Sequence, residues 1–304
     1  MKQTLIFLLA GGFFATPALA QDDLLNNLDP AKPKTTTTAT FKGTRLINGH
    51  TVETVRGKTL DFLISHRFGR LNSGVDNFYG MDEATIRLGL EYGINDRLTV
   101  GIGRSSVQKT VDLYLKYRLL RQAGQGSPVS ITLFGSDAIV TEPTRQNAAA
   151  VLYYNNGERQ NWTGQVLIAR KFSEKFSLQV TPGIVVLGKP EAAPKTVASV
   201  GIGGRYKVSK RVSVNAEYFA RFLSEADRFT APGGAKTYNV FAVGVDIETG
   251  GHVFQLHFTN SQGMIEKQFL TQATGDFFKG DINYGFNISR TFSFDRKTKK
   301  AAAW

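Results

Sequence analysis

The chain contains no cysteine, which rules out disulfides, thiol nucleophiles, covalent c-type haem and cysteine-ligated metal sites. Beyond its first 20 residues it also lacks any continuous apolar run of the roughly 20 residues that a membrane helix needs. Proline is sparse at nine residues, so long stretches are free to form uninterrupted strands. Acidic charge is in short supply: 37 Lys and Arg face 25 Asp and Glu, giving a formal net charge of +12. Such a balance attracts nucleic acid, anionic lipid or anionic solutes. Recognisable cofactor motifs are missing too. Gly101-Ile102-Gly103 has no helix after it and is no phosphate loop, and the scattered loop acids lack calcium-loop spacing. No catalytic residue, metal site or cofactor is therefore assigned, and the chain is not expected to be an enzyme.

The N-terminus carries a leader-like pattern. Lys2 supplies positive charge, Thr4 to Phe14 is apolar apart from Gly11 and Gly12, and Ala18-Leu19-Ala20 is a small-residue cleavage site. Residues 1–20 are expected to be a signal peptide, which makes nucleic acid the least fitting partner. Residues 21–57 read as a periplasmic N-terminal arm containing Pro30, Pro33 and the run Thr35 to Thr38. Within it, Phe41 to Gly49 fits either an added strand or a segment tucked into a barrel mouth.

What is abundant is period-two alternation. In Ile282 to Phe294 one face carries Ile282, Tyr284, Phe286, Ile288, Phe292 and Phe294, and the other Asn283, Gly285, Asn287, Ser289, Thr291 and Ser293. Twelve such segments are expected: 58–69, 83–93, 96–106, 109–120, 127–139, 161–172, 175–187, 196–208, 210–222, 237–248, 251–260 and 280–294. The connections alternate between tight turns, such as Ser173-Glu174-Lys175 and Thr249-Gly250-Gly251, and long stretches near 70–82, 140–160, 188–196, 223–236 and 261–279. Ser106 to Lys109 breaks this rule by being short where a long loop is due. An even strand count with short turns at one end and long loops at the other is the mark of an antiparallel up-and-down transmembrane β-barrel in a bacterial outer membrane. On this reading the barrel spans 58–294, a tail follows over 295–304, and both termini are periplasmic. A soluble β-sandwich does not explain the alternation of turn and loop lengths.

Aromatic residues support this topology. Tyr92, Tyr117, Phe172, Phe176, Tyr206, Phe292 and Phe294 all fall near the tight-turn rim, where rings gather at a bilayer interface. The last strand resembles the alternating aromatic signal read by the barrel assembly machinery, although Asp295 to Trp304 continue past Phe294. Arg170 and Arg290 share parity with apolar neighbours and misfit the lipid face, but each lies near the rim.

Ile64-Ser65-His66-Arg67-Phe68-Gly69, the stretch from Phe78-Tyr79-Gly80-Met81-Asp82 through Arg104-Ser105-Ser106, and Tyr114 to Gln122 together resemble an uncharacterised outer-membrane β-barrel family, a domain of unknown function of the DUF5777 type. The likeness spans Phe41 to Phe294. It implies the fold and the location, and it brings no functional residues with it.

Inward positions collect basic residues: Arg87, Lys116, Arg118, Arg205, Lys207, Arg211 and Arg221, together with Arg67 and Lys171. Fewer acids share that face: Asp61, Glu91, Asp112, Glu217 and Asp246. Twelve strands leave room for a narrow pore, and a basic constriction lowers the barrier for anions. The expected function is a passive channel for small, anionic solutes, with outer-membrane lipids and small solutes as partners and loops 140–160 and 261–279 as gates. A barrel whose lumen is closed by pairing of these charges is the first alternative. The second is an outer-membrane hydrolase built around a His66–Ser289–His257 neighbourhood.

Overall fold

The computed structural model describes residues 36–142, 155–189, 195–228 and 235–294. Twelve antiparallel strands close into one barrel. They are β1 (Thr59–Arg70), β2 (Thr85–Gly93), β3 (Leu98–Ser105), β4 (Thr110–Leu120), β5 (Ser130–Val140), β6 (Gln160–Lys171), β7 (Phe176–Leu187), β8 (Thr196–Lys207), β9 (Val212–Arg221), β10 (Val240–Thr249), β11 (His252–Thr259) and β12 (Asn283–Ser293). Each strand expected from the sequence is present, with ends shifted by a few residues. Closure pairs β12 with β1, setting Phe62 opposite Arg290 and Ser65 opposite Asn287. A closed ladder satisfies the strand backbone without water, which a bilayer requires.

The exposure pattern is inverted relative to a water-soluble protein. Arg87 and Lys116 are 0% exposed, whereas their neighbours Leu88 and Leu115 are 46% and 50% exposed. In water each bare Leu or Ile side chain would forfeit about 1.5–3 kcal/mol of burial, and the exposed wall repeats this with Ile86, Leu90, Ile102, Leu113, Ile184, Ile202 and Leu256. Acyl chains remove that cost. The described residues contain no helix long and apolar enough to cross a membrane, so the strands do the crossing.

One end of the barrel is made of tight turns, closed by bonds such as Ile94 N–H to Leu98 O (2.9 Å), Phe172 N–H to Phe176 O (2.9 Å) and Val208 N–H to Val212 O (2.9 Å). The seven rim aromatics expected there are all exposed on the outer face. The two misfit arginines resolve locally: Arg170 lies over the Phe172 ring at 5.2 Å and Arg290 over the Phe292 ring at 5.0 Å. The opposite end carries the longer connections, including helix α1 (Asn156–Arg159) between β5 and β6 and helix α2 (Glu266–Gln272) between β11 and β12. The short β3–β4 connection persists as a 3-10 turn over Val107–Lys109. The expected signal peptide, the expected arm up to residue 35, most of loop 140–160 and the expected tail over 295–304 lie outside the described residues.

Of the arm expected over 21–57, the structure describes residues 36–57. Residues 36–39 sit on the β4–β5 turn through Thr37 N–H to Gln122 O (2.7 Å), and residues 40–52, apart from exposed Lys42 and half-buried Gly43, are buried inside the barrel. The open choice over 41–49 falls to the lumen. The physical reason is apolar content: a free arm would leave Phe41, Leu46, Ile47, Val52 and Val55 in water. Inside, Phe41, Leu46 and Val52 join Tyr114, Phe134, Leu167 and Ala169 in one buried cluster.

Candidate functional site: a plugged lumen

The inserted segment is a hairpin. Leu46 N–H donates to Gly49 O (2.9 Å) and Thr51 N–H to Thr44 O (2.9 Å), with Arg45 bridged to His50. Its tip is seated on one carboxylate. Glu217 of β9 accepts the backbone N–H of Asn48 at 2.7 Å and those of Ile47 and Gly49 at 3.3 Å. Gly49 is required there, because a Cβ at that position would lie 2.6 Å from Phe219 Cζ. Around the tip, Asn287 donates to Ile47 O (3.1 Å), Gln255 to Leu46 O (2.9 Å) and Arg67 to Asn48 Oδ1 (3.2 Å). Lower down, Gln179 accepts from Val52 N–H (2.8 Å) and donates to His50 O (2.7 Å), Thr132 donates to Val52 O (2.8 Å), and Thr99 accepts from Val55 N–H (2.9 Å). The chain leaves the lumen over the β2–β3 turn, where Gly57 N–H meets Asp96 Oδ1 at 2.9 Å.

The basic residues read from the sequence divide into three groups. Lys116 and Arg118 hold the hairpin: the ammonium donates to Thr44 O (3.3 Å) and Glu53 O, and the guanidinium pairs with the Glu53 carboxylate at 2.9 Å. Arg87, Arg205 and Arg221 bond elsewhere. Arg87 makes a two-point pair with Asp112 (2.9 and 2.5 Å), Arg205 pairs with Glu248 (3.0 Å), and Arg221 donates to Thr237 Oγ1 (2.8 Å) and Leu270 O (3.2 Å). Lys207 is only half-buried and Arg211 is exposed, both near the β8–β9 turn, so they belong to the rim. Six buried cations on the strands face four buried carboxylates, so the interior is more nearly balanced than the list of basic residues implied. Strand glycines make room for these side chains: a Cβ on Gly101 would strike the Tyr114 ring at 2.2 Å, and one on Gly103 would strike Arg87 at 2.2 Å.

A second segment enters from the long-loop end. In α2 every residue from Glu266 to Thr271 is buried. Phe269 packs on Phe219 with ring centroids 5.1 Å apart, and Phe269, Leu270 and Ala273 complete an apolar cluster with Val185, Leu187, Val197 and Val240. The two segments meet in the interior: Arg45 donates to Met264 O at 3.2 Å, and His50 Nε2 lies 4.0 Å from Glu266 Oε1. Burial and the neighbouring Arg45, Lys116 and Arg87 push the His50 imidazole well below its ordinary range, while burial pushes the Glu266 carboxyl up. Beside α2 a polar vestibule of about 660 Å³ opens at the long-loop end, with Arg70, Glu83, Gln108, Gln272 and Asp281 among its lining residues. Asn260 also lines it, and the hairpin tip reaches the preceding residue through Asn48 Nδ2 to Thr259 Oγ1 (3.2 Å).

The histidines expected to gather do not. His66 faces outward, stacked on Phe286 at 5.1 Å, whereas His257 is buried on the inner face. Its outward position follows from strand parity, since Arg67 beside it points in. The groups missed by sequence reasoning are the neutral wall side chains Thr99, Thr132, Gln179, Gln255 and Asn287. Their inward polarity was legible; their engagement with the hairpin was not.

A closed strand ladder, an apolar exterior and a polar interior define a membrane β-barrel. The chain belongs to a family described as a membrane-bound β-barrel domain, DUF5777, whose model matches residues 41–292. No curated protein matches. Similar solved structures include the NanC porin, with TM-score 0.48, 8% identity and coverage of 76% of this chain and 98% of that one. The KdgM porin gives 0.45 and 10%, covering 77% and 99%. An outer membrane channel from Pseudomonas putida F1 gives 0.46 and 12%, covering 79% and 98%.

Proposed function

We propose that the protein is an outer-membrane channel for small solutes, held closed by its own N-terminal hairpin. The observation that carries this reading is the chemistry of the hairpin's seat. The wall grips backbone groups of residues 44–55 through hydroxyls, amides and charged side chains, each of which water can replace when the hairpin leaves. Buried Gln165 has no protein partner for either side-chain polar atom, which suits a wall built to be hydrated. Withdrawal would bare Arg67, Lys116 and Arg118 and take Glu53 away, leaving a strand wall with six buried cations against four buried carboxylates, so the opened passage prefers anions.

Deletion of residues 36–57 tests the reading. A barrel that still inserts, judged by heat-modifiable migration, is expected to conduct in planar bilayers with a reversal potential on the anion side, and Arg118→Gln in that background should weaken the preference. An inserted barrel that passes no current defeats the proposal. It would favour the second reading, a closed structural barrel, for which the apolar packing of α2 speaks.

A further inference from the structure

One lipid-facing arginine is handled differently from the others. Arg170 and Arg290 lie against rings at the tight-turn rim. Arg104, near the opposite end of β3, pairs with Leu88 on β2 and Val111 on β4, and so points outward. Only one guanidinium nitrogen is engaged: Nη1 donates to Lys109 O (3.2 Å) and Thr141 Oγ1 (3.1 Å). Nε and Nη2 are left for an acceptor. Lys109 stands exposed beside it, and neither cation forms an ion pair among the described residues.

The backbone here is unusual. Gln108 and Lys109 both take positive φ, 53° and 47°, a region that residues bearing a Cβ seldom occupy. The turn sends the two side chains to opposite sides. Gln108 accepts from Lys267 and Gln272 on the inner side (3.2 Å from Gln272), and Lys109 is left next to Arg104. This is also the anomalously short connection at the long-loop end.

Directly against Arg104 lies an apolar trough of about 400 Å³ on the outer wall. Phe62, Leu88, Leu90, Ile102 and Val111 form its sides, and the paired backbones of Gly89 and Gly103 form its floor. An apolar slot headed by two unpaired cations matches a molecule with a long hydrocarbon chain ending in an anionic oxygen cluster. Arginine binds phosphate through a planar two-point fork, and a lysine beside it adds a point charge. We propose that the outer wall over β1–β4 is a specific site for an anionic, phosphate-bearing lipid of the surrounding membrane, with an acyl chain in the trough and the phosphate on Arg104 and Lys109. The site depends on the chain spanning a bilayer and is independent of whether the lumen conducts.

Native mass spectrometry of the full chain, released from detergent with equimolar phosphatidylglycerol and phosphatidylcholine of matched acyl chains, tests the site. Wild type is expected to retain phosphatidylglycerol about fivefold more than phosphatidylcholine. Arg104→Gln with Lys109→Gln should bring the ratio to about one, and Ile102→Trp, which fills the trough, should lower retention of both lipids. Arg290→Gln, remote from the trough, should leave the ratio unchanged. Equal retention of the two lipids by wild type overturns the proposal. So does an undiminished preference in the double variant, or an equal loss in Arg290→Gln.

Discussion

The lumen is filled twice, by two kinds of packing. The hairpin over 40–55 brings its backbone to a polar wall whose side chains do the bonding, and adds one apolar contact, where Phe41, Leu46 and Val52 meet Tyr114, Phe134, Leu167 and Ala169. The segment around α2 brings its own apolar side chains, Phe269 and Leu270, to an apolar patch formed by Val185, Leu187, Val197 and Val240. The energetic consequence differs. A buried hydrogen bond exchanged for bonds to water changes stability by only about 0.5–1.5 kcal/mol net, so the polar part of the hairpin's seat is released at modest cost, and its apolar cost is confined to the burial of Phe41, Leu46, Ile47, Val52 and Val55. Exposing Phe269 and its neighbours forfeits burial outright. On the proposed reading the hairpin is the removable plug and α2 part of the wall, with the polar vestibule beside it as the mouth.

The largest effect expected from this contrast lies on the α2 side. Phe269→Ala removes a fully buried ring and should lower barrel stability by about 3–5 kcal/mol, seen in denaturant unfolding from detergent. Hydrogen exchange over 40–55 should change little. Loss of hairpin protection equal to that of α2 would show that the two segments form one unit.

Glu217→Ala comes next. It takes away the acceptor of three backbone N–H groups at the hairpin tip. The docked hairpin should weaken by on the order of 3 kcal/mol, raising amide exchange over Ile47 to Gly49 roughly a hundredfold, with α2 unaffected. Unchanged exchange at these amides would remove Glu217 from its assigned role.

The smallest effect is a pH dependence. Docked His50 is held well below the ordinary imidazole range by burial, Arg45, Lys116 and Arg87, and it also faces Glu266 and Tyr114. A released hairpin takes up a proton below about pH 6.5, whereas a docked one does not. Docking is therefore unaffected above that pH and weakens as pH falls, by up to about tenfold per unit. Glu266, raised by burial, has the opposite sign, but it stays on α2 when only the hairpin moves. Protection over 40–55, taken relative to the intrinsic exchange rate at each pH, should fall between pH 7.5 and 5.5 in wild type and fall less in His50→Gln. A matching fall in the variant would assign the effect to another group.

The same contrast explains what the sequence revealed. Strand faces were legible because period two repeats: Arg87 in, Leu88 out, Gly89 in, Leu90 out, for strand after strand. The inward parity of Lys116, Arg118 and Arg205 followed from it, and so did the outward rim of Tyr92, Tyr117 and Phe176. The plug had no such period. Phe41, Leu46, Ile47, Val52 and Val55 are irregularly spaced because the hairpin meets the wall on all sides, and nothing local separates this from an arm. The helix α2 spans only Glu266–Gln272, too short for helical spacing to emerge from a long polar loop. Charge pairing was also invisible, since Arg87 with Asp112 joins β2 to β4, and Arg118 with Glu53 joins the wall to the plug.

The account rests on the hairpin being what closes the barrel, and one recording tests this with the full chain. Asn48 and Thr259 touch across the lumen at 3.2 Å, and the chain has no native cysteine to interfere. Single-channel currents of the Asn48→Cys, Thr259→Cys variant should be absent while the pair is oxidised and should appear, with anion preference, once a reductant is added. Equal currents in the oxidised and reduced states, or silence in both with the hairpin shown to be released, would contradict it.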